Sequence, residues 1–96
     1  MPKGYWVSAH QRPADPEKHK AYREIAISAI EAAGGKFLVI GGTSEAREFG
    51  KNERTVVIEF PSYADALAAY ENEEYKLALA ALGDGAERDL RIVEGV

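Results

Sequence analysis

Two histidines are the residues of this sequence best suited to chemistry near neutral pH. His10 closes the run Tyr5-Trp6-Val7-Ser8-Ala9-His10, whose aromatic and branched residues suit a strand. An imidazole in that position is available as a general acid or base. If the run is a strand, His10 shares a face with Trp6 and Ser8. A strand-end histidine that is simply exposed or hydrogen-bonded is the plainer reading and outweighs the catalytic one. His19 falls in the first turns of a helix between Lys18 and Lys20 and is expected to sit in solvent.

Arg54 opens a later apolar run, and a guanidinium there can hold an anionic ligand by two parallel hydrogen bonds. Glu59 lies inside the same run, where a carboxylate must face a cation or a cavity. An ion pair within the sheet or between subunits is the simpler of the two. Glu94, in another apolar run, invites the same two readings. The rings of Tyr22, Tyr63, Tyr70 and Tyr75 fall on helical stripes and read mainly as core, with hydroxyls that could line a pocket. Trp6 is likewise packing first and ligand platform second. The candidate site is therefore His10 as acid or base, with Trp6, Arg54, Glu59 and Tyr70 as substrate contacts.

Other chemistries find no support. His10 and His19 stand on different elements, and there is no His-x-x-x-His or cysteine pair, so no metal is expected. The complete absence of cysteine also removes thiol catalysis and disulfide scaffolding. Gly34-Gly35-Lys36 follows a helix and precedes a strand, the reverse of a phosphate-binding loop, and no Gly-Lys-Ser/Thr occurs. No Gly-x-Ser-x-Gly is present. No cofactor is expected.

A chain of 96 residues with 46% hydrophobic content has room for one core, so residues 1–96 form a single domain. The formal net charge of −4 argues against a nucleic-acid phosphate binder. Apolar runs fall far short of the roughly 20 residues that span a bilayer. Met1 to Trp6 carries no export signal, so a cytoplasmic protein away from membranes is expected.

Tyr5 to Gln11 reads as a strand. Asp15-Pro16 starts a helix, with Asp15 as N-cap and Pro16 where its missing N–H costs nothing. Tyr22, Ile25, Ala26, Ala29, Ile30 and Ala33 form its apolar stripe, and Gly34-Gly35 ends it. Phe37 to Ile40 is a second strand and Thr43 to Glu53 a polar connection. Arg54 to Phe60 is a third strand, after which Ser62 caps a helix carrying Ala66 and Tyr70. Asn72 marks a break before a further helical stripe at Tyr75, Ala78, Leu79 and Leu82. Gly83-Asp84-Gly85 turns the chain into a last strand, Leu90 to Glu94.

The order β-α-β-β-α-β predicts an α+β, ferredoxin-like fold: a four-stranded antiparallel sheet, strands one and three central, helices on one face. RNA-recognition modules share this topology, but they stack bases on strand aromatics and present basic surfaces. Here the third strand, Arg54-Thr55-Val56-Val57-Ile58-Glu59-Phe60, lacks most of those aromatics.

Apolar residues fall on both sides of the strands. In the second strand alternation sends Phe37 and Val39 one way and Leu38 and Ile40 the other. The third sets Val57 against Val56, Ile58 and Phe60, and the fourth sets Val93 against Leu90 and Ile92. Helices cover one face only, and a solvated second face should be polar. The simplest cover is a second copy, sheet against sheet, giving a homodimer.

Gly4-Tyr5-Trp6-Val7, Asp15-Pro16, Gly34-Gly35-Lys36-Phe37-Leu38-Val39 with Gly41-Gly42, and Val57-Ile58-Glu59-Phe60-Pro61-Ser62 occur in order. Ala66, Tyr70, Glu74-Tyr75 and Ile92-Val93-Glu94-Gly95 follow them. This combination resembles the domain of unknown function 1330 family, small bacterial proteins of the dimeric α+β barrel superfamily. The resemblance covers nearly the whole chain and implies a homodimer in which two sheets form a barrel. It supplies no reaction. The wider superfamily includes cofactor-independent monooxygenases and muconolactone isomerase, which use a pocket between sheet and helices. The expected function is binding of a small organic molecule in such a pocket. The alternatives are an enzyme of monooxygenase or isomerase type using His10, and a purely structural homodimer.

Overall fold

A computed structural model describes residues 2–96. Strand β1 (Gly4–His10) leads into α1 (Pro16–Ala32), followed by β2 (Lys36–Ile40) and β3 (Thr55–Phe60). Two short helices, α2 (Tyr63–Tyr70) and α3 (Glu73–Leu82), precede β4 (Arg88–Glu94). All three helix starts follow from the local sequence. The Asp15 carboxylate accepts from the amides of Glu17 and Lys18, Ser62 Oγ from that of Asp65, and the Asn72 side chain from that of Glu74. Asn72 thus ends one helix by capping the next.

The sheet order is β2-β3-β1-β4, antiparallel throughout. This is the ferredoxin-like arrangement, with β1 and β3 central. The helices cover one face. Trp6, Ile58 and Phe60 from the sheet pack with Tyr22, Ala26 and Ile30 of α1 and with Ala66, Ala69, Tyr75, Ala78 and Leu82 of α2 and α3. Trp6 is the hub. It is 1% exposed, donates its indole N–H to the Ala66 carbonyl at 2.8 Å, and has Phe60, Tyr70 and Tyr75 within 5.6 Å, centroid to centroid. Gly4 allows α2 to cross this close. A Cβ there would lie 2.5 Å from the Ser62 carbonyl oxygen and 2.7 Å from the Tyr63 Cα.

The alternation expected for β2 does not hold. Phe37 pairs with Ile58, yet Val39 pairs with Val57 and Ile40 with Val56, so a β-bulge lies between Phe37 and Val39. One extra residue shifts the period, which places Phe37 and Ile40 on the same, helix-covered face and Val39 on the other. The outer face therefore carries Val7, Val57, Val39 and Val93 among Thr55, Glu59, Lys36 and Arg91. Val39 and Val93 stay more than two-fifths exposed. Among the described residues, no helix covers this face. No helix among these residues is long and apolar enough to cross a membrane.

Candidate functional site

The register of the three adjacent strands builds the site. His10, the last residue of β1, faces Arg88 of β4, and its amide donates to the Arg54 carbonyl just before β3 at 2.9 Å. One row across the sheet thus reads Arg54, His10, Arg88. Helix α1 lies over the row and adds His19, Tyr22 and Arg23. The His10 and His19 rings meet edge to face at 5.6 Å, and His19 stacks on Tyr22 at 5.9 Å. The expectation that His19 is solvated is corrected: the turn after the Asp15 cap aims it at the sheet, where it is largely covered.

Arg88 holds a second cluster. Its guanidinium lies 5.0 Å from the centre of the Tyr22 ring and donates to the Tyr22 hydroxyl at 3.1 Å. That hydroxyl is 2.7 Å from the Tyr75 hydroxyl. Burial first, and the neighbouring Tyr22 second, raise the Tyr75 pKa far above the ordinary phenol range, so Tyr75 remains a neutral donor and acceptor.

These groups line a pocket between α1 and the sheet, its remaining wall formed by Ala26, Ile27, Ile30, Phe37, Ile40, Val56 and Ile58. Its empty space is ≈ 460 Å³ counted out through the open mouth, and ≈ 40 Å³ is open to the centres of water molecules. A single water needs roughly 10–15 Å³ on that second measure, so the space suits a small ligand rather than a large one.

The charge balance of the lining is one-sided. Arg23, Arg54, Arg88, His10 and His19 meet there, and none of the lining residues is Asp or Glu. Burial lowers the pKa of His10, with Arg88 and then Arg54 adding to the effect. Burial lowers His19 to about 4, reinforced by Arg54 and Arg23. Both imidazoles are neutral at pH 7. Burial, then Arg23, also lowers the pKa of Arg54. Two buried polar atoms on the lining, Ser8 Oγ and Arg54 Nε, have no hydrogen-bond partner.

Of the residues singled out from the sequence, the fold brings His10, Arg54 and Trp6 together on the pocket wall. Glu59 is not among them. It pairs with Tyr5, hence faces outward, and lies 3.5 Å from Lys3 Nζ and 3.3 Å from the Tyr5 hydroxyl. The ion-pair reading describes it. Tyr70 packs against Trp6 and Tyr75 and does not reach the pocket lining. Arg88 was missed because Arg88-Asp89 reads as an extension of the preceding turn, whereas β4 begins two residues before the apolar run. Ser8 was legible through its shared face with His10.

Gly41 supplies room for Arg54. It has φ +81°, and a Cβ there would lie 2.8 Å from the Arg54 guanidinium. Gly41→Ala is expected to push Arg54 off the pocket wall and to strain the turn by about 1 kcal/mol or somewhat more. Thermal unfolding and the chemical shift of Arg54 Nε–H check the two effects separately.

Fold and site together define a class: a ferredoxin-like α+β domain whose first helix and sheet enclose a cation-lined pocket. The chain belongs to the family described as domain of unknown function 1330, whose model matches residues 3–96. Among solved structures it is similar to a protein of unknown function from Rhodopseudomonas palustris, with 18% identity, 99% of this chain and 83% of that chain covered, and a TM-score of 0.76. It is also similar to a candidate antibiotic biosynthesis monooxygenase from Caulobacter crescentus, with 16% identity, 99% and 90% covered, and a TM-score of 0.61. A dimeric ferredoxin-like protein of unknown function from Thermobifida fusca has 13% identity, 97% and 91% covered, and a TM-score of 0.54. At these identities the likeness is one of fold. No curated protein matches the chain.

Proposed function

We propose that the protein binds a small organic molecule in the pocket between α1 and the sheet. The observation that carries this reading is the pair of buried, unpartnered polar atoms on the lining, Ser8 Oγ and Arg54 Nε. A buried donor or acceptor without a partner costs about 1–3 kcal/mol, a cost that a ligand in the pocket would relieve. A screen of small organic molecules by protein-observed NMR tests it. Compounds are expected that shift the amides of Ser8, His10, Arg54 and Arg88 while leaving Val57 and Val93 on the outer face unmoved. A broad screen yielding no such compound overturns the reading.

The protein is further proposed to work as a homodimer through the outer sheet face. Val7, Val57, Val39 and Val93 support this, since no helix among the described residues covers them, and the Thermobifida fusca neighbour is described as dimeric. Light scattering is expected to give twice the chain mass at micromolar concentration; a stable monomer removes the proposal.

An enzymatic reading rests on one further observation. His10 is a buried imidazole, neutral at pH 7 and flanked by two guanidiniums, which makes it a proton acceptor beside a site that can stabilise developing negative charge. The candidate monooxygenase from Caulobacter crescentus gives that reading a first reaction class to assay. With a ligand in hand, His10→Ala that loses turnover and retains binding supports the enzyme; unchanged turnover excludes His10 as its acid or base.

A further inference from the structure

The pocket has two chemically different ends. At the last residue of β1 stands the row Arg54, His10, Arg88, with His19 and Arg23 of α1 above it and no carboxylate on the lining. Two and four residues back along β1 the character changes. Val56, opposite Ser8, and Ile58, opposite Trp6, continue into Ile40 and Phe37 of β2. Ala26, Ile27 and Ile30 of α1 line the same pocket, and Ile40 keeps 48% of its surface exposed. At about 3.3 Å per residue, the apolar wall extends roughly 7–13 Å from the cationic row.

Two guanidiniums on the partly buried sheet wall, with the exposed Arg23 of α1 above them, repel one another, and within a protein of net charge −4 a neutralising carboxylate is the usual partner. None of the five ion pairs found among the described residues involves Arg23, Arg54 or Arg88. Arg54 keeps a buried N–H unbonded, and Ser8 Oγ, on a residue 5% exposed, stands free between the cationic row and the apolar wall. These are the donors that a planar, two-oxygen anion satisfies.

We infer that the ligand is a small carboxylate with a compact apolar body: the carboxylate seated on the Arg54–His10–Arg88 row, the body against Phe37, Ile40, Val56 and α1. This rests on the reading of the pocket as a ligand site and narrows it to one class. The ≈ 40 Å³ open to water centres limits the body to about the size of one six-membered ring. The continuous apolar wall favours a carboxylate over inorganic phosphate, whose remaining oxygens would meet hydrocarbon.

Calorimetric titration of the intact protein at pH 7 with benzoate, cyclohexanecarboxylate and 2-methylbutanoate, each beside its neutral primary amide, and with inorganic phosphate, tests the inference. At least one carboxylate is expected to bind about tenfold or more tightly than its amide and than phosphate, as charge-assisted hydrogen bonds to arginine require. Arg54→Gln is expected to remove most of that preference while changing amide affinity far less, in a variant that still unfolds cooperatively on heating. Arg54→Lys, which keeps charge but not the planar fork, restores part of it. An amide binding as well as its carboxylate overturns the anionic ligand and leaves the pocket reading standing. Phosphate binding as well as the best carboxylate overturns the apolar body. Failure of all seven compounds overturns the inference, whereas the pocket reading falls only if the broader NMR screen is also blank.

Discussion

Trp6→Ala is expected to destabilise the protein by about 3–5 kcal/mol, the range for removing a fully buried large aromatic side chain. For a domain of this size, whose total stability is on the order of 5–15 kcal/mol, that is a large fraction of the whole. The reason lies in what Trp6 joins. It sits on a central strand, touches Phe60 of the neighbouring strand and Tyr70 and Tyr75 of the two short helices, and donates its indole N–H to α2. α2 and α3 bury mainly alanines, apart from Tyr75 and Leu82, so they have few large side chains with which to follow a shrinking core. The cavity would stay open. Trp6→Phe separates packing from hydrogen bonding, since it keeps a ring and loses the N–H, and is expected to cost about 1–3 kcal/mol. Urea midpoints of the two variants give the ordering. Equal costs, or an alanine variant within 1 kcal/mol of the parent, would show that the helices repack around the gap.

Acid is the second large lever. His10 and His19 are both more acidic in the fold than in the unfolded chain, His19 falling from 6.5 to about 4. Between those values the unfolded chain binds more protons than the native one, so stability rises with pH there. Their full contribution is present above about pH 6.5 and is lost as pH falls toward 4. The cations facing them act in one direction, Arg54 just before β3, Arg88 from β4 and Arg23 from α1, and Tyr75, held far above the phenol range, is uncharged here. Solvent reaches the His19 ring and screens these charges, so its share is on the order of 1–2 kcal/mol rather than the full value of the shift. The exposed Asp84 and Asp89, held low by hydrogen bonds from Lys18 and Arg91, also lose their interactions in acid. The measurement is therefore a difference. Thermal unfolding from pH 4 to 8 is expected to show a shallower acid limb in His19→Gln than in the parent, with the two curves parallel above pH 7. Identical acid limbs would mean that the ring turns out to solvent and titrates freely.

Most of the framework was legible because local chemistry wrote it. Asp15-Pro16, Ser62 and Asn72 are helix starts in any context, Gly34-Gly35 is a stop, and alternation along β1 and β3 assigns each residue to a face. The site was legible in part for the same reason. His10 and Ser8 share a face by alternation alone, and Arg54 stands at the foot of a strand. Alternation sets Glu59 beside Val57, and what stayed open was its partner, supplied by Lys3 and Tyr5. His19 differed because two flanking lysines masked the one position in that turn facing the sheet.

Local sequence thus wrote the elements, their order, the ferredoxin-like topology and the two faces of β1, β3 and β4, since these depend on neighbours within a few residues. Pairing across the sheet set Arg54, His10 and Arg88 in one row. The assembled fold alone decided that a bulge turns Ile40 inward beside Phe37, and that α1 sets His19 over the cations. Each depends on register between strands distant in the chain, where a shift of one residue reverses every side chain and no local pattern records the offset.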